Sequence, residues 1–421
     1  MKARDFIFPI WRRIPVGVRQ RISHALLDAL TSPIPQANPE ITADRHAPKI
    51  IAGFLSSPSG MGQSARLLAA ALQEAGHAVF GIDLGEYFFE PVGMVDHGLP
   101  DGRAIHGKAH LIININAPYM PYVLRLLKRD FLRDKYVTGY WAWELPRLPD
   151  SWRRGFACVH DIAVPSSFVA QAVQEMNDGK IIVVLPHPVA MEFEKAPSSE
   201  DAKPRGDAEN PFTVGYMANI ASGFARKNPL GVIAAFRKAF GNDPRCRLKM
   251  LLTNSEHYPA ARPMVEKAVG DASNIIVTWH GLGREELRLW WREVNVYASL
   301  HRSEGFGLPL AEAMCAGLPV VATGWSGNLE FMTNANSFLV RYELVDVQDD
   351  QGKYPQGMGM WAEPEVEHAA ELLHLAKAQR DLAKSVGERA RRDLLASLSA
   401  HAVVARLHHH HHDVSRGKED A

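Results

Sequence analysis

The 421-residue chain has little of several things, and each scarcity narrows what it can do. It holds three cysteines, Cys158, Cys246 and Cys315, scattered and without a CxxC pair. Such spacing supports neither a disulfide framework nor a zinc site, and it suits a reducing compartment. There is no excess of charge. Lys plus Arg and Asp plus Glu both total 47, which removes any general electrostatic pull toward nucleic acid. No apolar run approaches the roughly 20 residues that span a bilayer. No apolar h-region follows the basic opening residues, so no secretory leader is expected. No internal repeat recurs. What remains is an ordinary globular composition, 46% hydrophobic and 22% charged. The length allows two or three domains.

Short apolar runs alternate with helical patterns, twice. In the first half, residues 49–55, 79–84, 109–115, 136–140, 161–165 and 181–185 read as strands. In the second half, 212–217, 248–253, 275–279, 296–300 and 318–322 do so. Helices are expected over 67–74, 230–240, 284–294, 309–316 and from 366 to about 405. Residues 195–211, rich in Pro, Glu, Asp, Lys and Gly, mark the clearest boundary. The expected organisation is a basic segment and linker at 1–47, a domain at 48–195, a linker at 196–210, a second domain at 211–407 and a histidine-containing tail at 408–421. An α/β fold follows, with two facing Rossmann-like domains and a cleft between them.

Several stretches carry candidate chemistry. Glu304 and Glu312 flank Gly305, Phe306, Gly307 and Leu308, ahead of a short helix and a buried strand. A glycine-rich helix start favours phosphate, and carboxylates accept hydrogen bonds from sugar hydroxyls. Taken alone, two glutamates also fit a solvated residue and a helix-start residue. Arg226 and Lys227 precede a helix and can neutralise a diphosphate, although a solvated loop explains an isolated basic pair equally well. Ser326, Gly327 and Asn328 form a further turn before an expected helix. Gly60, Met61 and Gly62 follow the first strand, at the usual crevice of open α/β sheets.

On the first-half side stand Asn116, Trp143, Glu144 and His187, each near a strand end. Indole faces pack on pyranose C–H faces, but a hydrophobic corner is the plain alternative. His187 either faces the site or caps a corner. The aspartates at 346, 349 and 350 read as a solvated loop.

The segment 304–323 resembles the glutamate-x7-glutamate signature of the retaining glycosyltransferases of family 4, the "group 1" enzymes with the GT-B fold. The element at 226–229 resembles the family's phosphate-gripping basic pair, and those at 141–144, 326–332 and 354–364 resemble a bacterial subgroup with a WxWE motif. The resemblance implies a hexosyltransferase acting on a nucleotide-diphosphate sugar, with GDP-mannose as the first expected donor and a UDP-sugar as the other. It implies that Glu304 contacts the donor sugar, Glu312 the ribose, and Lys227 and Arg226 the diphosphate. Gly60, Met61 and Gly62 would lie beside the donor phosphate. The acceptor would be a glycan or a polyprenyl-linked sugar of a bacterial surface polysaccharide. No DxD triplet occurs, so this reading requires no metal and no other cofactor. The family's acceptor-side histidine is absent near residue 115, where Asn114 and Asn116 stand.

Residues 1–30 are basic and aromatic, and suit peripheral contact with the cytoplasmic face of a membrane, packing on their own protein, or a mobile tail. Residues 408–421, with a run of five histidines, read as a disordered tail. The expected location is the cytoplasm, with no nucleic-acid partner. Two other readings stand. One is a non-catalytic glycan-binding scaffold of the same fold. The other is an NAD-dependent oxidoreductase, with Gly60-Met61-Gly62 for the pyrophosphate and Asp83 for the ribose.

Overall fold

A computed structural model describes residue 22 and residues 31–88, 90, 93–189, 209–354 and 357–407. The basic segment 1–30 apart from Ile22, most of the expected linker 196–210, and the tail 408–421 lie outside the described residues. The rest forms two compact units, one of the described residues up to 189 with residues 396–407, the other of the described residues 209–395.

The first unit holds a parallel six-stranded sheet in the order β2-β1-β3-β4-β5-β6. Its strands are β1 (Lys49–Gly53), β2 (Val79–Asp83), β3 (Ala109–Ile113), β4 (Lys135–Tyr140), β5 (Asp161–Val164) and β6 (Ile181–Val184). Four of them, β1, β3, β4 and β5, are buried along their whole length. This is why they read as unbroken apolar runs rather than as alternation. Residues 400–407 are helical and bury Ala400, Val403, Val404 and Leu407 against Leu68, Leu72 and Leu185 of the same unit.

The second unit repeats the plan in the order β12-β11-β10-β7-β8-β9. Its strands are β7 (Phe212–Asn219), β8 (Cys246–Thr253), β9 (Ile275–Thr278), β10 (Val296–Ser299), β11 (Val320–Thr323) and β12 (Phe338–Val340). An antiparallel pair, β13 (Tyr342–Asp346) and β14 (Met360–Pro364), is attached to this unit.

Four expectations are corrected. The first long helix begins at Gly60 rather than 67, because Ser59 caps it by accepting from the Gly62 N–H at 3.3 Å. Gly60, Met61 and Gly62 are therefore its first turn and not a loop. The expected helix after Ser326 is a four-residue 3₁₀ turn, Gly327–Glu330. The long C-terminal pattern is broken into helices Val366–Ala378 and Arg380–Leu398, followed by the helical residues 400–407. Asp346 closes strand β13, and Asp349 is no free loop residue. It accepts from the N–H groups of Gln351, Lys353 and Tyr354 at 3.2, 2.7 and 3.2 Å.

Candidate active site

The second sheet reverses its order between β7 and β10. These strands are neighbours, but the chain leaves β7 toward β8 on one side and β10 toward β11 on the other. A crevice lies outside the carboxyl ends at such a point. The segment after β7 carries Arg226 and Lys227, and the loop after β10 carries Glu304.

Local chemistry fixes both. The four-residue helical turn Phe224–Lys227 ends at Asn228, which is left-handed at φ 54°. Asn228 caps the next helix, α1 of this site (Pro229–Phe240), by accepting from the Gly231 N–H at 3.0 Å. Pro229 takes the first helical position, where a missing N–H costs nothing. Asn228 also donates to the Leu300 carbonyl at 2.9 Å, just past β10. One asparagine thus sets the helix start and ties the two loops together.

Arg226 is 2% exposed. It donates to the carbonyls of Ser303 and Ser222 at 2.7 and 2.9 Å, and stands 3.1 Å from the Glu304 carboxylate. Lys227 Nζ donates to Glu304 Oε1 at 2.6 Å. Burial alone would raise the Glu304 carboxyl, but Lys227 and then Arg226 outweigh it and hold the group down to about 2. Two cations thus meet one carboxylate in a largely buried place. Such a cluster is suited to an anion.

The Glu304 main chain is held as firmly. Its N–H donates to Ser326 Oγ at 2.8 Å, and its carbonyl accepts from the Gly327 N–H at 2.8 Å. A Cβ on Gly327 would sit 2.2 Å from the Gly305 carbonyl oxygen, so only glycine lets these segments approach. Asn328, fully buried, donates to the Thr323 carbonyl at 3.1 Å and turns its Oδ1 to His301 Nε2 at 3.1 Å. His301 Nε2 also faces the Trp325 carbonyl, and Nδ1 faces Ser299 Oγ at 3.1 Å. Burial lowers the His301 pKa, and two acceptors at Nε2 place the proton there on a neutral ring. The side chains of Ser326 and Asn328 brace the Glu304 loop.

Gly307 is left-handed at φ 97° and opens the helix α2 (Leu308–Cys315), which carries half-buried Glu312. Pro309 stands in its first turn without an N–H, so this end presents fewer main-chain donors than an ordinary helix start. The Phe306 ring packs on Phe331 with centroids 4.9 Å apart, so the side chain belongs to the core.

The first-unit candidates divide into two groups. Asn116 Oδ1 accepts from the Ala142 N–H at 2.9 Å and joins the ends of β3 and β4. Trp143 and Glu144 follow, both half-buried, with Trp143 Nε1 donating to the Arg147 carbonyl at 2.8 Å and its ring edge-on to Trp152. His187 lies elsewhere, in a buried cluster. Its Nδ1 stands 3.2 Å from Ser64 Oγ and 3.0 Å from the Tyr140 hydroxyl. Burial lowers its pKa to about 3, so the ring is neutral.

Gly62 has no room for a side chain, since a Cβ would lie 2.4 Å from the Ser57 carbonyl oxygen. Arg66 donates to the carbonyls of Leu55 and Ser57 at 2.9 and 2.7 Å and shapes the same corner. Asp83 is bonded to the Ser56 hydroxyl and accepts from the N–H groups of Ser56 at 3.2 Å and Gly85 at 2.9 Å. Those bonds occupy the carboxylate that an oxidoreductase would use for ribose.

Sequence reasoning missed Tyr216, which donates to the Lys227 carbonyl at 2.9 Å, and the roles of His301 and Arg302. Tyr216 sits in an apolar strand, where nothing separates a core tyrosine from a supporting one. Among the described residues, no three His, Cys, Asp or Glu side chains come together as metal ligands.

Residues 211–349 match the family model described as Glycosyl transferases group 1, so the second unit carries a glycosyltransferase group 1 domain. No curated protein matches the chain. Among solved structures, a glycosyltransferase from Rickettsia africae has a TM-score of 0.62 at 14% identity, over 87% of this chain and 98% of that one. Anabaena Alr3699/HepE, solved with UDP and glucose, has a TM-score of 0.61 at 13% identity, over 86% and 99%. S. aureus TarM, solved with fondaparinux, alpha-GlcNAc-glycerol and UDP, has a TM-score of 0.51 at 13% identity over 71% of this chain. The chain spans 54% of the TarM structure's length. The fold is that of the GT-B glycosyltransferases.

Proposed function

We propose that the protein is a retaining hexosyltransferase, drawing on a nucleoside-diphosphate sugar and delivering the sugar to a glycan or lipid-linked hydroxyl. The observation that carries this is the convergence of Arg226, Lys227 and Glu304 at the switch point of the second sheet. As donor binds, Lys227 and Arg226 share their donors between Glu304 and the diphosphate. The same cations stabilise the phosphate charge that grows as the sugar–oxygen bond breaks. Glu304, far below neutrality in pKa, stays ionised and accepts bonds from the sugar hydroxyls. Glu312 accepts from the ribose. The acceptor oxygen bonds the anomeric carbon on the face the diphosphate leaves, and its proton passes to a departing phosphate oxygen. The reading calls for no resident metal or cofactor.

Mannose from GDP-mannose was the donor expected from sequence. UDP appears in the complexes of HepE and TarM, which supports a UDP-sugar as the alternative. Asn116, Trp143 and Glu144 are the proposed acceptor contacts. Assembly of a bacterial surface polysaccharide at the cytoplasmic face of a membrane fits the basic residues 1–30, and no helix among the described residues is long and apolar enough to cross a membrane.

The test is a panel of UDP-glucose, UDP-N-acetylglucosamine and GDP-mannose, read by calorimetry and by release of nucleotide, on the full chain and on Glu312→Ala. Binding of one nucleotide sugar, weakened in the variant and accompanied by slow hydrolysis or transfer, is expected. Binding with no turnover under any acceptor would favour the non-catalytic scaffold. No binding to any sugar nucleotide would end the proposal.

A further inference from the structure

The turn that presents Arg226 and Lys227 does not stand by itself. Its own main chain supplies bonds from Lys227 N–H to the Gly223 carbonyl and from Asn228 N–H to the Phe224 carbonyl, at 3.0 and 2.9 Å. Other groups are met by side chains distant in sequence. Gln351, 7% exposed, accepts from the Phe224 N–H and donates to the Ile220 carbonyl at 3.2 Å. Lys353 Nζ donates to the Ala221 carbonyl. Arg302 donates its guanidinium to the Ala225 carbonyl and its main-chain N–H to the Arg226 carbonyl at 2.7 Å.

These side chains are themselves fixed. Glu363 on β14 holds Arg302 by two bonds, at 2.6 and 3.0 Å, and Trp361 lies 5.6 Å beneath the guanidinium. The Arg302 carbonyl accepts from the Ala362 N–H at 2.9 Å. Asp349, accepting from three N–H groups, shapes the turn that aims Gln351. A cleft of about 210 Å³ lies along this junction, lined in part by Phe224, Ala225, Arg302 and Gln351.

We propose that Gln351 and Arg302 are positioning residues for the diphosphate grip, and that the excursion between β13 and β14 exists to hold the turn bearing Arg226 and Lys227. The inference rests on the nucleotide-sugar reading above. Cations held in place before the ligand arrives bind it with less ordering cost. Removing Gln351 takes the acceptor from the Phe224 N–H and leaves the Ile220 carbonyl with the Gly223 N–H alone, which loosens the turn while Arg226 and Lys227 remain in the sequence. Neither residue need touch the donor.

The test uses the full chain, with UDP as probe, and Gln351→Leu, Gln351→Glu and Arg302→Lys. Gln351→Leu is expected to weaken UDP by roughly tenfold, the size of a typical coupling between interacting groups. Gln351→Glu keeps the acceptor for Phe224 and loses the donor to Ile220, so an intermediate loss is expected. In a Lys227→Ala background, Gln351→Leu should cost distinctly less than in the unaltered chain, because only Arg226 is left for the turn to place. An equal loss in both backgrounds, or none in either, overturns the proposal. Amide exchange over residues 220–227 without nucleotide provides the independent readout. It should quicken in Gln351→Leu, and unchanged exchange refutes the holding role even if UDP binds. Failure of the unaltered chain to bind UDP or any sugar nucleotide would instead sink the functional reading, with the exchange result still deciding whether Gln351 holds the turn.

Discussion

Each of the two units buries a polar cluster among its strands, and the clusters are built on opposite principles. In the first unit Asn114 donates to Ser64 at 2.9 Å, Ser64 and Tyr140 meet His187 Nδ1, and Tyr140 donates to the Leu185 carbonyl at 2.7 Å. All four residues are neutral, and all are at most 6% exposed. Donors meet acceptors within the protein, and the cluster has no charge to offer a ligand. In the second unit two cations share one carboxylate, so the cluster is built of charged groups. Burying unmatched charge costs stability. A neutral closed cluster is explained by folding alone, whereas two cations gathered on one carboxylate are suited to gripping an anionic ligand.

The largest expected effect comes from removing the charge at the centre of the second cluster. Glu304→Gln leaves Arg226 and Lys227 facing a neutral group and should cost about 3–5 kcal/mol by denaturant unfolding. The effect depends on pH. Glu304 has a folded pKa of about 2, below its ordinary value of 4.5, so its contribution is complete above about 4.5 and fades as pH falls through about 2. The gap between the two proteins should narrow across that window. A constant gap would mean that the carboxylate is not held by the cations.

A smaller loss is expected from Ser326→Ala. It deprives the Glu304 N–H of its acceptor and should cost roughly 1–3 kcal/mol, without altering the acid window. A comparable fall in nucleotide affinity with no change in stability would instead give Ser326 a direct role with ligand.

The smallest effect at neutral pH concerns His187. Its folded pKa of about 3 lies below the ordinary 6.5, so its contribution is complete above about 6.5 and fades as pH drops toward 3. His187→Gln should flatten that part of the stability curve. It should leave the fall below about 3, which belongs to Glu304, in place, and this distinguishes the two clusters by titration.

The sequence made both sheets legible because strands such as β1, β3, β5, β10 and β11 are buried along their length and read as apolar runs. It did not reveal β12, of three residues, or β13, whose Tyr-Glu-Leu-Val-Asp is largely exposed and lacks an apolar face. That gap concealed the excursion bearing Gln351. At the site, the pairing of Arg226-Lys227 with Glu304 was approachable because a basic pair and a glycine-flanked glutamate follow strand ends. The roles of Ser326 and Asn328 were not, because glycine-serine turns look alike whether they face solvent or brace a neighbour. Only the Glu304–Ser326 and His301–Asn328 bonds separate these cases. Gly60-Met61-Gly62 misled for a related reason. Glycines lower helix propensity, and the cap at Ser59 overrode them.

The central claim is that Arg226, Lys227 and Glu304 form a grip for a nucleoside diphosphate. Calorimetric titration of UDP and GDP into the full chain tests it most directly, beside Lys227→Ala and Lys238→Ala, the latter a surface cation paired with Glu367. The account predicts binding of one nucleotide, weakened roughly a hundredfold in Lys227→Ala and unchanged in Lys238→Ala. Equal affinity in all three proteins would contradict it.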